Sequence, residues 1–270
     1  LTPTRELASQ VHESIRTYGQ HLNLRSTTIF GGVNINPQIQ RLERGADILV
    51  ATPGRLLDLL QQGAIDLKKV EILVLDEADE MLRMGFIDDV EWILEHTPET
   101  RQTALFSATM PGQIVALARR YMSAPTHIRA VEPGDDNATV DTIEQHVWRV
   151  HPLDKVELLA RILKADGRDL AMIFTRTKRK AQKVCDELTE RGFAVGTVHG
   201  DLGQGAREQA LRAFRTGKVD VLVATDVAAR GIDVDDVEVV FNYDLPYDGE
   251  DYVHRIGRTG RKGRSGRAIT

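Results

Sequence analysis

The chain has 270 residues, of which 41% are hydrophobic and 28% charged, and its formal net charge is −5. This is a globular composition, and it excludes collagen-like, disordered and membrane-embedded classes. The longest apolar runs, at 72–75 and 221–224, fall far short of the roughly 18 residues a membrane helix needs.

The single cysteine, Cys185, permits no internal disulfide, which fits a reducing cytoplasm. The opening LTPTRELASQ has neither a basic n-region nor an apolar core, so no secretory signal is expected in it. Charge is uneven along the chain: residues 254–270 hold six Arg or Lys and no Asp or Glu. A basic tip on an acidic protein points to a local site for an anion, phosphate first.

In chain order, short β-branched runs alternate with amphipathic stretches. Strands are expected at 26–30, 48–51, 71–75, 103–106 and 127–130, and helices at 4–18, 37–44, 55–61, 87–95 and 111–121. Residues 131–142, VEPGDDNATVDT, carry Pro, Gly, Asn and three Asp with little periodicity. They read as a linker. The rhythm then restarts, with strands at 143–150, 170–175, 194–199, 219–224 and 237–243 and helices at 152–164, 178–190 and 204–215. Apolar strands separated by helices imply parallel sheets covered on both faces, hence two α/β domains. Their expected limits are 1–131 and 143–270, joined by a linker at 132–142. Ligands of such sheets bind beyond the carboxyl ends of the strands, so residues just after each apolar run carry the functional weight.

Two motifs carry chemistry. At 70–79, VEILVLDEAD, an apolar strand ends in Asp76 and Glu77. An acidic pair there can hold a hydrated Mg²⁺ and orient an attacking water. The bland alternative is a helix N-terminus that favours acids for its dipole. At 254–261, HRIGRTGR, Arg258 and Arg261 are three apart and share one face of a turn or helix. Gly257 and Gly260 between them would let a phosphate approach the backbone, and an Arg fork suits the charge of a transferring phosphoryl group. A solvated basic tail is the alternative. The other histidines lack metal-ligand spacing, and Trp92 and Trp148 read as packing residues.

The order of motifs resembles the helicase core of a DEAD-box RNA helicase of superfamily 2. PTRELA stands at 3–8, GG at 31–32, TPGR at 52–55, DEAD at 76–79 and SAT at 107–109. IFTRTK follows at 173–178, HGDLGQGAR at 199–207, ATDVAARGID at 224–233 and HRIGRTGR at 254–261. The stretch DEADEMLRMGFIDDVE at 76–91 is similar to the bacterial DeaD, or CsdA-like, branch.

The resemblance implies two RecA-like parallel-sheet domains that close over ATP and RNA together. It implies that Asp76 binds Mg²⁺ through water, that Glu77 positions the hydrolytic water, and that Arg258 and Arg261 reach the γ-phosphate. Asp233 would hold the ribose. His254, with Asp79, Ser107 and Thr109, would link the nucleotide state to closure. Pro3, Thr4, Arg5, Gly31, Gly32, Thr52, Gly54 and Arg55 would line the RNA backbone in the first domain. Thr175, Gly200, Gln204, Arg207 and Thr225 would do so in the second. Such contacts fall on phosphate and sugar and so do not read sequence. The implied partner is RNA and not a membrane, the location is the cytoplasm, and for a DeaD-like protein the context is structured RNA in ribosome assembly or cold adaptation. Individually, several residues have plainer readings: Thr4 as a helix cap, Gly31 and Gly32 as a turn, Thr52 and Pro53 as a helix start.

One departure from the family pattern stands out. No GxxxxGK[ST] run occurs in the 270 residues, nor the Gln-containing adenine-recognition element. The chain is therefore expected to be a fragment, with both domains truncated, exposed sheet edges in the first, and weak ATP binding. Two competing functions remain at this point: a superfamily 2 DNA helicase, and a nucleotide-independent RNA-binding scaffold.

Overall fold

The computed structural model describes residues 1–129, 143–165, 170–229, 234, 237–260 and 265–270. The linker expected at 132–142 and the site candidates Asp233 and Arg261 lie outside the described residues. The described residues divide into two compact units, one formed by those of Leu1–Ile128 and the other by those from Arg129 onward. Among the described residues no helix is long and apolar enough to cross a membrane.

The first unit runs α1 (Arg5–Tyr18), β1 (Ser26–Ile29), α2 (Asn36–Glu43), β2 (Ile48–Ala51), α3 (Pro53–Gln61), β3 (Ile72–Leu75), α4 (Ala78–Arg83), α5 (Ile87–Glu95), β4 (Gln102–Leu105) and α6 (Gly112–Tyr121). Alternation in the sequence predicts one sheet, but the strands form two parallel ladders, β1 with β2 and β3 with β4. Among the described residues, Leu1 and Thr2 alone stand between them. Thr2 N–H donates to the Ala51 carbonyl at 2.9 Å, and Asp76 N–H donates to the Leu1 carbonyl at 3.0 Å. Leu1 packs against both apolar clusters of the unit, one around Ile29, Leu59 and Ile93, the other around Leu75, Met81 and Ile114. The strand expected at 127–130 does not form over 127–129. No neighbouring strand offers it a ladder, and Ile128 is 81% exposed.

The second unit runs β5 (Ile143–His146), α7 (Lys155–Ala165), β6 (Ala171–Thr175), α8 (Lys178–Glu190), β7 (Val195–Val198), α9 (Gln204–Arg215), β8 (Val221–Thr225), α10 (Asp226–Ala229), β9 (Val239–Asn242), α11 (Gly249–Ile256) and β10 (Gly266–Ile269). Its sheet is wholly parallel in the order β5-β10-β9-β6-β8-β7. Strands β6 and β9 are buried at every position, as continuous apolar runs in a two-sided sheet require. Helices α7 and α8 cover one face with Leu159, Val184 and Leu188 against Ile173, Val223 and Phe241. The strand expected at 143–150 is observed over Ile143–His146, in parallel register with β10. Helices α4, α10 and α11 were not legible in the periodicity, each being eight residues or shorter.

Glycine is enforced at Gly266, where β10 passes the turn after α11. A Cβ there would lie 2.4 Å from Thr259 Oγ1 and 2.5 Å from the Gly260 nitrogen. Gly266→Ala is therefore expected to destabilise the chain by about 1–3 kcal/mol, read as a lower urea midpoint with an unchanged slope.

Candidate functional site

In the first unit, the β3–β4 ladder aligns Leu75 with Leu105, so both strands end level. Beyond β3 the chain turns at Glu77, whose φ of 52° and ψ of 53° are left-handed. That conformation is strained for a residue with a Cβ and persists only where its surroundings fix it. Three sets of bonds do so. Asp76 Oδ1 accepts from Glu77 N–H at 3.1 Å. Ala78 N–H donates to the Phe106 carbonyl at 3.0 Å. Asp79 N–H donates to Ser107 Oγ at 3.1 Å, and that hydroxyl donates to the Thr109 carbonyl at 2.7 Å.

The Asp79 carboxylate is the centre of this cluster. It accepts from Thr109 N–H and Thr109 Oγ1, both at 2.9 Å, and from Glu80 N–H at 3.1 Å. Asp79 is only 5% exposed. Burial pushes its carboxyl up, but the bonds from Thr109, Ser107 and Glu80 outweigh burial and hold it below its ordinary 3.8. The structure thus brings Asp79, Ser107 and Thr109 together, directly beside Asp76 and Glu77. His254 belongs to the other unit.

The expected RNA-side residues of the first unit gather at the carboxyl ends of β1 and β2. Thr4 caps α1, accepting from Leu7 N–H at 3.3 Å. Arg5 Nη1 donates to the Gly31 carbonyl at 3.2 Å. Gly32 has φ +75°, which strains any residue with a Cβ, and a Cβ there would also displace the Arg5 guanidinium from its place 2.1 Å away. Thr52 precedes α3, which starts at Pro53, and Gly54 and Arg55 follow in its first turn. Arg55 Nη2 donates to the Val33 carbonyl at 3.0 Å, while its Nη1 is buried without a partner. Two arginines thus brace one glycine loop from two directions, and Arg55 keeps donor capacity unspent. Gln38 was missed by sequence reasoning. It is buried and bonds both the N–H and the carbonyl of Phe30, at 2.9 and 3.2 Å. Its position two residues into a short helix gave no signal.

In the second unit, Thr175 ends β6 and Thr225 ends β8, paired in register. Gly200 follows β7, and Gln204 opens α9. These four lie along the carboxyl edge of three adjacent strands; Arg207, one turn further along α9, is buried. At the same edge sits Arg255, 2% exposed. It grips Asp226 with Nε at 2.6 Å and Nη2 at 2.8 Å. Its Nη1 reaches Asn242 Oδ1 at 3.2 Å and the Asp244 carbonyl at 2.6 Å. Its guanidinium lies over the Phe174 ring, 5.3 Å from the centroid. Asp244 in turn accepts from Arg176 N–H and Lys180 Nζ, at 3.1 and 2.8 Å. Sequence reasoning passed over Arg255, although it lies inside HRIGRTGR, next to the fully buried Ile256.

Arg258 lies past the end of α11, in a turn whose amides at Arg258 and Thr259 bond back to Arg255 and Ile256 at 3.2 and 3.0 Å. Gly260 has φ +69°. Gly260 therefore has a structural cause in the turn itself, apart from any phosphate, whereas Gly257 has an ordinary φ of −63°. Among the described residues no group of three or more His, Cys, Asp or Glu could hold a metal ion.

The family model described as DEAD/DEAH box helicase matches residues 1–117, and that described as helicase conserved C-terminal domain matches 154–263. A Bacillus cereus protein named DEAD-box ATP-dependent RNA helicase CshA is 48% identical over 259 residues, covering 96% of this chain and 49% of that protein. A Streptococcus pneumoniae protein of the same name is 47% identical over 270 residues, 100% of this chain and 51% of its own length. The chain thus spans about half the length of the curated relatives it matches. Among solved structures, S. cerevisiae Dbp5 bound to RNA and ADP BeF3 gives a TM-score of 0.85 at 34% identity, covering all of this chain and 69% of that one. A DEAD box protein from Methanococcus jannaschii is 46% identical, with a TM-score of 0.52, and the match covers 72% of it.

Two stability predictions follow from the clusters. Arg255→Met strands Asp226 without its cation and is expected to cost about 3–5 kcal/mol by urea unfolding. For Asp79, the folded carboxyl binds its proton less readily than the unfolded one. Its stabilisation is therefore complete above pH 3.8 and is lost as pH falls through the lower folded value. Asp79→Asn is expected to cost about 1–3 kcal/mol at pH 7. The gap between the two proteins should then narrow in acid below that value.

Proposed function

Since this chain belongs to the DEAD-box helicase family, we propose that it acts as an ATP-dependent RNA helicase, coupling ATP hydrolysis to RNA binding and to local opening of short duplexes. The observation that carries this reading is the tie between Asp79 and the Ser107–Thr109 segment immediately beside Asp76 and Glu77. Just beyond the carboxylate pair proposed for phosphate chemistry, Asp79 is bonded to a segment that would register its state. The names of the relatives, ATP-dependent RNA helicases, support the same reading.

In this proposal Asp76 binds the hydrated Mg²⁺ of the nucleotide. A cation that keeps its waters and shares phosphate oxygens needs only one or two carboxylates. When bound, Mg²⁺ supplies charge neutralisation at the phosphates. The Glu77 carboxylate accepts a hydrogen bond from the attacking water and orients it. Arg258 and Arg261 donate to the charge that develops on the transferring phosphoryl group. Asp233 accepts from the ribose hydroxyls. Asp79, Ser107, Thr109 and His254 transmit the nucleotide state to the RNA side.

The RNA strand is held by its backbone at Pro3, Thr4, Arg5, Gly31, Gly32, Thr52, Gly54 and Arg55, and at Thr175, Gly200, Gln204, Arg207 and Thr225. The buried, unpartnered Nη1 of Arg55 supports a phosphate there. Binding is then indifferent to sequence, and 2′-hydroxyls favour RNA over DNA. The proposed setting is the cytoplasm, with structured RNA of ribosome assembly as a target class. A second reading, RNA binding without nucleotide, is favoured for these 270 residues alone by one observation: they contain no GxxxxGK[ST] run to cradle phosphates.

The test is ATP hydrolysis with Mg²⁺, with single-stranded RNA or DNA, by the chain and by the chain joined to a strand–GxxxxGK[ST]–helix segment. The unjoined chain is expected to stay near background. The joined one should show RNA-stimulated turnover that falls by about 10²–10⁴-fold in Glu77→Gln. Equal stimulation by DNA, or turnover indifferent to Glu77→Gln, would contradict the proposal.

A further inference from the structure

The segment from Phe30 to Ile35 joins β1 to α2, and four of its carbonyls are taken by side chains. Gln38 Nε2 donates to the Phe30 and Asn34 carbonyls, both at 3.2 Å. Arg5 donates to the Gly31 carbonyl and Arg55 to that of Val33. The amides are the reverse. Phe30 N–H is held, donating to Gln38 Oε1 at 2.9 Å. Among the described residues, the N–H groups of Gly31, Gly32, Val33, Asn34 and Ile35 meet no acceptor.

In a planar trans peptide, the C=O and the N–H of the next residue point in opposite directions. A side chain that draws a carbonyl toward itself therefore turns the following amide away. Gln38 does this twice, at the Phe30–Gly31 and Asn34–Ile35 peptides. Gln38 is 2% exposed, so its pull is inward and the Gly31 and Ile35 amides are turned outward. All three of its side-chain bonds run to this loop. Apart from chain neighbours, no atom lies within 4 Å of where a Gly31 Cβ would stand, which leaves room beside it for a ligand. Successive amides turned outward in this way form a concavity that favours an anion.

We propose that Gln38 is a positioning residue for RNA binding: without touching the strand, it holds the Gly31 and Ile35 amides toward an RNA phosphate. This inference rests on the RNA reading proposed above and adds to it a residue that stands behind the strand's contacts. Without the carboxamide, the Phe30 and Asn34 carbonyls lose their donor, and both peptides are free to rotate their amides away from the phosphate. The fold can survive that loss while the anion site does not, which separates this role from simple packing.

The test titrates a single-stranded oligouridine RNA into the parent chain, Gln38→Met and Leu117→Ala over a range of salt concentrations. Leu117 is a buried residue of the apolar cluster around Leu75 and Met81. In Gln38→Met, the slope of log affinity against log salt should shrink by about 0.7, the share of one phosphate on a single strand. Its affinity in low salt should fall about tenfold, as for a lost hydrogen bond to a charged group. Leu117→Ala should lower the urea midpoint through its cavity and keep the parent's slope and affinity. In the parent, RNA at about ten times its Kd should slow hydrogen exchange of the Gly31 amide about tenfold, and leave the Phe30 amide, already held by Gln38, unchanged. An unchanged slope and affinity in Gln38→Met, the same losses in Leu117→Ala, or an unprotected Gly31 amide in a parent that binds RNA would each overturn the inference and leave the RNA reading standing. A parent that binds no RNA would overturn both together.

Discussion

One carboxylate organises the first unit's chemistry. Asp79 is buried just past the end of β3 and takes three hydrogen bonds, two of them from Thr109 past the end of β4. A buried charge is tolerable only when it is saturated in this way. Saturation fixes the chain on both sides of it. Upstream lies the left-handed turn at Glu77; downstream lies the segment from Ser107 to Thr109. The strained turn aims Asp76 and Glu77 from the strand end, and Asp79 keeps it from relaxing.

The second unit solves the same problem with the opposite sign. There the buried ion is the Arg255 guanidinium, and acceptors converge on it from Asp226, Asn242 and Asp244. These come from the ends of β8 and β9, so one side chain of α11 ties two strand termini to the segment bearing Arg258. In both units the anchoring ion is deeply buried and adjoins the groups proposed to meet substrate. Removing either ion exposes a full desolvation penalty. The cost of placing a charge inside is thus tied to holding a site in shape.

Much of this was legible from residues alone. Strand ends at Leu75 and Thr175 follow from apolar runs, that of β8 was read one residue short of Thr225, and Asp76 to Asp79 and HRIGRTGR stood out by pattern. Thr4 and Pro53 signalled their helix starts by ordinary capping rules, and the structure gives them those roles. Pairing was not legible. A run such as Ile72–Leu75 looks the same whether one edge or both are bonded, so the split into two ladders escaped periodicity. Nor could periodicity find α11, whose eight residues are fixed by the Asp248 cap and by burial of Arg255. The glycines of HRIGRTGR were read as room for phosphate, whereas the φ of +69° at Gly260 gives the turn its own need for one.

The central claim is that the Asp79–Thr109 bond, and not merely the burial of each side chain, holds the ends of β3 and β4 together. A double-mutant cycle tests it directly, with Asp79→Asn, Thr109→Val and the double variant unfolded in urea at pH 7. The account predicts a coupling energy of about 1–2 kcal/mol, within the range for residues sharing one network. Additive losses, with coupling indistinguishable from zero, would contradict it.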